Sequence, residues 1–425
     1  MKKNGGLAGP MKIGLSKRNL LLSASVAAVL WIGTYFAPLL AVAPTHVMLT
    51  QTANPAAEQT VIWHTGPLSK ASKVEFSEAT GGAVQSITGT EKELQTERGM
   101  IVVHAVQLTG LKASTSYRYQ VGDGVFWSES HTFTTAPAQA KPFRFLLFGD
   151  SQSYTYELWQ EVLHAAYARN PQASFMVNIG DLVDVGLDYG QWDGWFQAGK
   201  GIIDAIPVAA VMGNHETYTP QGKIALPDYF DAFFSSPGNG PEGLKKRVYS
   251  FDYGDAHFSV LDSQRQEEEP WLPQMLAWQQ AWLERDLAAT DKRWKLVFIH
   301  RPLYHNRPSL DSDADLRAAF GPILDRYGVD VAFAGHDHVY ARSHPMQGGR
   351  WSEAPGDGVV YITVGRSGTK TFARAQPKEW DAAFHNPVAQ PNYLTVDVSD
   401  TELTVQNFAA DGTVLDSWTK GLEKR

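Results

Sequence analysis

Five short segments in this chain end in metal-seeking side chains, and each follows an apolar run. They read Gly149-Asp150-Ser151-Gln152, Gly180-Asp181-Leu182-Val183-Asp184, Gly213-Asn214-His215-Glu216, Phe298-Ile299-His300 and Gly335-His336-Asp337-His338. The runs ahead of them, 143–148, 175–179, 206–212, 294–299 and 329–334, are apolar or nearly so. Runs of that length predict strands buried on both faces or in a sandwich core. In open α/β sheets, ligands gather outside the carboxyl ends of the strands. Glycine ahead of Asp or His is expected to let the chain turn sharply where a strand stops. Alternation along an extended segment is expected to put His336 and His338 on one side. A single Gly-Asp is ordinary turn chemistry, and a single His after a strand is commonly a satisfied buried histidine. Five segments in this order supply two Asp, one Asn and three His as hard and borderline ligands. That is an inventory for two divalent or trivalent ions sharing a carboxylate.

The rest of the chain frames these segments. Its 425 residues are enough for two domains after an N-terminal segment. The net charge of −8 argues against a broad nucleic-acid-binding surface. There is no cysteine, which excludes thiolate zinc sites and disulfides. Lys2, Lys3, Lys12, Lys17 and Arg18 precede an uncharged stretch from Asn19 to Ala43. Residues 1–43 therefore read as a signal peptide or a signal anchor that carries the remainder across the cytoplasmic membrane. The stretch is long enough to span a bilayer, and Pro44 follows the apparent cleavage site Ala41-Val42-Ala43.

Short strands are predicted at 47–51, 60–65, 73–77, 100–108, 116–121 and 128–135, as in a β-sandwich. Helices are predicted over 155–169, with Leu158, Val162, Ala165 and Ala166 on one face, and over 313–327, ended by Gly328. Met275, Trp278 and Trp282 read as the core stripe of another helix. Strands return at 359–364, 392–398 and 402–407.

The five segments resemble the signature of calcineurin-like metallophosphoesterases. Flanking phrases resemble the purple acid phosphatases among them: Arg247-Val248-Tyr249-Ser250-Phe251-Asp252-Tyr253-Gly254-Asp255-Ala256-His257-Phe258, Trp282-Leu283-Glu284-Arg285-Asp286-Leu287, His300-Arg301-Pro302-Leu303-Tyr304 and Val339-Tyr340-Ala341-Arg342. The resemblance runs from about residue 45 nearly to the end of the chain. It implies an α/β fold, a four-layer αββα sandwich over 143–420, preceded by an all-β fibronectin type III-like domain over 44–138. It also implies a dinuclear centre of Fe, Mn or Zn ions. Asp181 would bridge the two ions, Asp150 and His338 would hold the first, and Asn214, His300 and His336 the second. A bridging hydroxide would attack phosphorus, and His215 would protonate the leaving oxygen.

Two positions depart from the family pattern. Purple acid phosphatases place a tyrosine ligand three residues after the bridging Asp, where this chain has Asp184. Many other members place a His two residues after the first Asp, where this chain has Gln152. Gln152 can donate an amide oxygen to the first ion. Asp184 can reach that ion directly or through water, orient a ligand, or be a solvated turn residue. Arg301 and His305 can touch the phosphate, although a salt bridge is the ordinary role for such an arginine. Tyr218, Tyr229, Phe230 and Phe233 in the 216–246 insert can shape the pocket rim or form a small core of their own. Trp192 and Trp195 can line the cleft or simply pack.

The expected function is an extracytoplasmic phosphomonoesterase acting on small phosphate esters. A phosphodiesterase on the same site is the alternative. A non-catalytic binding protein built on the β-domain fits less well, because such a protein would not need the ligand set. A protein phosphatase fits poorly with the export segment. The membrane is a partner if that segment stays uncleaved.

Overall fold

The computed structural model describes residues 43–69, 71–308, 313–352 and 358–421. The expected signal or anchor at 1–43 thus lies, except for its last residue, outside the described residues. Among the described residues no helix is long and apolar enough to cross a membrane.

Two large sheets lie face to face. The first carries parallel strands Phe143–Phe148, Met176–Asn178 and Val208–Ala210, flanked by antiparallel Asn392–Val398, Glu402–Ala409 and Val414–Gly421. The second runs Tyr249–Tyr253, Ala256–Leu261, Trp294–Ile299, Val331–Ala334, Val360–Val364, Tyr340–Ser343 and Asp381–His385, in that order. Its middle four strands from Ala256 to Val364 are parallel.

Period-two alternation explains how each strand serves two cores. Phe145 and Leu147 point between the sheets, where Phe258, Leu296, Phe298 and Phe333 meet them. Leu146 and Phe148 point outward, under helix Glu157–Arg169. In the second sheet Val297 and Ile299 point outward instead, under helices Met275–Ala289 and Ala314–Tyr327. The layers are therefore α, β, β, α, as the family resemblance implied. Each fully buried Leu, Ile, Val or Phe contributes about 1.5–3 kcal/mol of transfer free energy.

Two helix faces differ from the sequence reading. Glu157–Arg169 buries Trp159, Val162, Leu163 and Ala166, a stripe one step round from the expected one. Trp278 is 36% exposed, and Gln279 takes its place inward because its amide bonds the Asp262 backbone. The 314–327 helix does end at Gly328, in the left-handed conformation with φ 61°.

The N-terminal unit is an all-β sandwich. Strands Gln85–Thr88, Lys73–Glu78, Ser116–Gly122 and His131–Thr134 form one sheet. Thr45–Thr50, Glu58–Thr65, Gly99–Thr109 and Thr90–Thr96 form the other, and Trp63, Phe76, Val106 and Phe133 fill the space between. The sequence reading missed the strands at 85–88 and 90–96, whose residues are mostly exposed and polar. That second sheet does not stop at the unit's edge. Thr45–Thr50 pairs in parallel with Val208–Ala210, so it continues the first large sheet to ten strands.

Candidate metal centre

The carboxyl ends of the parallel strands from both sheets meet at one rim. The first sheet delivers Asp150, Asp181 and Asn214, and the second delivers His300, His336 and His338. Several donors arrive through strained turns. Asp150, Asp181, His336 and His338 have φ of 41°, 50°, 66° and 57°. Left-handed backbone costs a residue with a side chain about 1–2 kcal/mol, and such residues collect at functional sites. The glycines consequently have a different role from the one expected. Of Gly149, Gly180, Gly213 and Gly335, only Gly180 has positive φ, 95°. Gly213 and Gly335 make room: a Cβ would meet Asp181 Oδ1 at 2.3 Å and Asp150 Oδ2 at 2.9 Å. The two histidines of Gly335-His336-Asp337-His338 likewise reach the centre through left-handed kinks, not through strand alternation. Asp337 between them points away and accepts from the Asn306 backbone N–H at 2.7 Å.

The donors form two groups with one member in common. Ligand-type atoms of Asp181, His300 and His336 lie within 4.8 Å of one another, as do those of Asp150, Asp181 and His338. Nδ1 of His300 donates to the Ile179 carbonyl at 2.8 Å, which fixes the tautomer and leaves Nε2 3.2 Å from Asp181 Oδ2. Asn214 donates from Nδ2 to the Tyr218 hydroxyl at 2.8 Å. Its Oδ1 is buried without a hydrogen-bond partner, and so is Nδ1 of His336 and of His338. Buried polar atoms ordinarily find partners. Burial opposes ionisation of Asp181, yet the charges of His300 and His215 hold its pKa well below the usual carboxylate range. Burial, then Arg301 and Arg307, push the His336 pKa well below 6.5, keeping the neutral ring that ligation requires. Two carboxylates, an amide oxygen and three imidazoles therefore fit two ions sharing Asp181.

The two departing positions separate here. Gln152 is 1% exposed, with Nε2 3.1 Å from His338 Nε2 and 3.4 Å from Asp181 Oδ2, and with Oε1 unpartnered. Turned over about its amide plane, Gln152 would present Oε1, a neutral oxygen ligand, at the same position. Asp184 belongs to neither donor group. Its Oδ1 lies 3.0 Å from Lys370 Nζ and 3.3 Å from His215 Nδ1. His215 stands at the wall, with Nδ1 2.7 Å from the Asp184 carbonyl and Nε2 3.9 Å from Asp181 Oδ2. Burial disfavours its charged form, but Asp181 and the bonds to Asp184 raise its pKa to about 9.

A cavity of about 340 Å³ opens over these groups, lined also by Tyr218, Arg301, His305 and Arg307. Arg301 pairs with Glu267 at 2.6 Å and places Nη1 3.3 Å from His336 Nε2. His305 lies between Asp313 at 2.8 Å and Asp337 at 3.1 Å, so both ring nitrogens are committed to carboxylates. Both residues thus line the cavity while being held by protein partners. Trp192 and Trp195 are fully buried packing residues, and Tyr229, Phe230 and Phe233 join the same core.

Sequence reasoning overlooked three residues. Glu216 is fully buried and accepts from the backbone N–H of Asp181, Leu182 and Gly213 at 2.9, 2.9 and 2.8 Å. It sits inside a motif, so its position was the available signal. Arg307 and Lys370 carry no local signal, since only the tertiary fold brings them to the rim.

Residues 143–340 match the calcineurin-like phosphoesterase family, and residues 44–135 match the purple acid phosphatase N-terminal domain. Purple acid phosphatase 15 of Arabidopsis thaliana is 26% identical over 321 residues, covering 68% of this chain and 58% of the relative. The Fe(3+)-Zn(2+) purple acid phosphatase 12 of the same plant is 26% identical over 287 residues, covering 63% of this chain and 59% of the relative. The chain thus spans about three fifths of the length of these curated relatives. The structure of a purple acid phosphatase from yellow lupin (Lupinus luteus) seeds superimposes with a TM-score of 0.74 at 21% identity, covering 89% of this chain and 74% of that one. The donor geometry, the paired sheets and both domain matches converge: this chain carries a calcineurin-like phosphoesterase domain behind a purple acid phosphatase N-terminal domain, and its fold is similar to that of a purple acid phosphatase.

Proposed function

We propose that the chain is a metal-dependent hydrolase of small phosphate monoesters. The observation that carries this reading is the convergence of Asp150, Asp181, His300, His336 and His338 in two groups sharing Asp181, beside a cavity of about 340 Å³ that Asp181, Asn214, His336 and His338 line. That volume lies in the range of small-molecule sites. The relatives named as phosphatases support the same reading. Asp181 would be held by both ions, Asp150 and His338 by one, and Asn214, His300 and His336 by the other. Two such ions supply Lewis acidity toward the phosphoryl oxygens and an acidified water.

The chain's own residues do the remainder. Arg301 and Arg307 set positive charge along one wall, where a phosphoryl group would lie. His215 faces that wall's floor near Asp181. The Asp184 carbonyl can only accept, so His215 Nδ1 carries a proton and Nε2 is the nitrogen left for the substrate. As water adds to phosphorus and gives up one proton to solvent, the ester P–O bond breaks, and the leaving oxygen takes the Nε2 proton and departs as an alcohol. No covalent bond to the protein is required.

Parallel assays on p-nitrophenyl phosphate and bis-p-nitrophenyl phosphate test this, using protein loaded with Mn, Zn or Fe. The monoester should be preferred, and exhaustive chelation should abolish turnover. A preference for the diester would make the chain a phosphodiesterase on the same site. Full activity in metal-free Asp181→Ala protein would refute the metal-dependent reading.

A further inference from the structure

We propose that Lys370 is a positioning residue for the proton donor, acting on His215 through Asp184. The inference rests on the reading of His215 as the donor. It starts from three loops that meet beside the cavity. The first follows Asp150, the second follows Asp181, and the third spans 366–370.

The third loop is fastened to the first by its backbone. Gly368 N–H donates to the Asp150 carbonyl at 2.9 Å, and Thr369 N–H donates to the Gln152 carbonyl at 3.1 Å. Lys370 is the next residue, so its side chain starts from a fixed point. Its Nζ lies 4.5 Å from the centre of the Tyr154 ring and 3.0 Å from Asp184 Oδ1. A cation over an aromatic face is held there electrostatically. The side chain is 26% exposed, so it is anchored and still in contact with solvent.

Asp184 is what Lys370 holds, and Asp184 is what holds His215. The Asp184 and Val185 backbone N–H groups donate to Gln191 Oε1 at 2.8 and 3.0 Å. The Asp184 carbonyl takes His215 Nδ1 at 2.7 Å, while its carboxylate lies 3.3 Å from the same nitrogen. Two acceptors of one residue thus converge on one ring nitrogen. Lys370 Nζ holds the same Oδ1 that faces His215 Nδ1. Without that cation the carboxylate can rotate, either away from the ring or against it, and the orientation of Nε2 is no longer unique. Proton transfer in the transition state depends on that orientation. The need for it is greatest when the leaving group is a poor one.

The test compares Lys370→Met, Lys370→Arg and His215→Ala on an alkyl phosphate and on p-nitrophenyl phosphate, with metal content measured in each. Lys370→Met should lower kcat for the alkyl ester by about tenfold. Turnover of the activated aryl ester should fall less than about threefold, with KM little changed and metal content equal to wild type. Lys370→Arg should recover most of the alkyl-ester loss. Equal losses on both esters, no loss on either, or release of an ion from Lys370→Met would overturn the proposal. The His215→Ala arm separates the two levels of inference. If its loss depends on the leaving group and that of Lys370→Met does not, only the role of Lys370 falls. If His215→Ala shows no such dependence, the donor reading falls and takes this proposal with it.

Discussion

Glu216 shows how one buried side chain can hold two motifs in register. Its carboxylate receives N–H groups from the Asp181 turn and from Gly213 of the Asn214 segment. Burial, reinforced by the nearby Asp181 charge, pushes its pKa up, so the bonds are what keep the position tolerable. Glu216→Ala would strand at least two buried donors, at about 1–3 kcal/mol each. Urea denaturation should show a loss of about 3 kcal/mol or more, with reduced metal content. A variant as stable as wild type that retained both ions would show that Glu216 is incidental. Gln152 and Asp184 invite a second comparison. Gln152→Ala should weaken one of the two ions on the order of tenfold. Asp184→Asn should leave both in place, since Asp184 lies on His215 and Lys370. Equilibrium dialysis with Mn decides, and the reverse pattern would make Asp184 the ligand.

At the scale of elements, the phrases flanking the motifs turn out to join a helix to a strand pair. Asp286, on helix Met275–Ala289, accepts from Ser250 at 2.6 Å and Ser259 at 2.8 Å, and meets His257 at 2.9 Å. His257 also meets Asp252 at 2.7 Å. Burial disfavours the charged ring, but the bonds to Asp252 and Asp286 overcome this and raise its pKa to about 9. A raised folded pKa stabilises fully below the unfolded value of 6.5 and loses its effect as pH climbs through about 9. The stability difference between wild type and His257→Gln should therefore be largest near pH 6 and shrink by up to about 3 kcal/mol by pH 9.5. Thermal or urea unfolding across that range measures it. A difference that does not vary with pH would mean the ring is neutral in the fold.

Across the whole molecule, the N-terminal sandwich and the metal-bearing sheets share hydrogen bonds. Thr50 pairs with Val208, and Gln51 N–H donates to the Val208 carbonyl at 3.1 Å. Met48, Ile62 and Val103 pack in the same core as Trp192 and Phe233. Removing 44–135 would leave Val208–Ala210 as an unpaired edge above an opened apolar face, a setting that favours aggregation. The 136–421 fragment should consequently be insoluble, or show a broad transition and low metal content. A soluble fragment with wild-type Tm would show that the two parts fold independently. We also propose export across the cytoplasmic membrane, on the strength of the basic flank and the uncharged run at 19–43. Protease added to intact spheroplasts should then digest the chain. Protection until lysis would place it inside, and mass spectrometry of the mature N-terminus distinguishes anchor from cleavage.

What the sequence determined alone was the apolar strands that lead into the motifs and the candidate donors at their ends. Nearly continuous apolar runs mark Phe143–Phe148 and Trp294–Ile299 because a strand buried on both faces is apolar on both. Asp150, Asp181, Asn214, His300, His336 and His338 were legible because their chemistry and spacing have few other uses. The tertiary structure decided everything that depends on approach from elsewhere in the chain. Asp184 reads alone as a ligand, a ligand-orienting residue or a turn, until Lys370, 186 positions on, arrives at 3.0 Å and fixes its direction. His305 reads as a phosphate contact until Asp313 and Asp337 occupy both of its nitrogens. Gly213 reads as a turn residue until Asp181 is found against it. The continuity of the sandwich with the first sheet is likewise invisible in sequence, because backbone pairing between Thr50 and Val208 leaves no side-chain signature. Local pattern encodes which side chains exist and which face they take, whereas partners distant in the chain decide which of several roles each side chain performs.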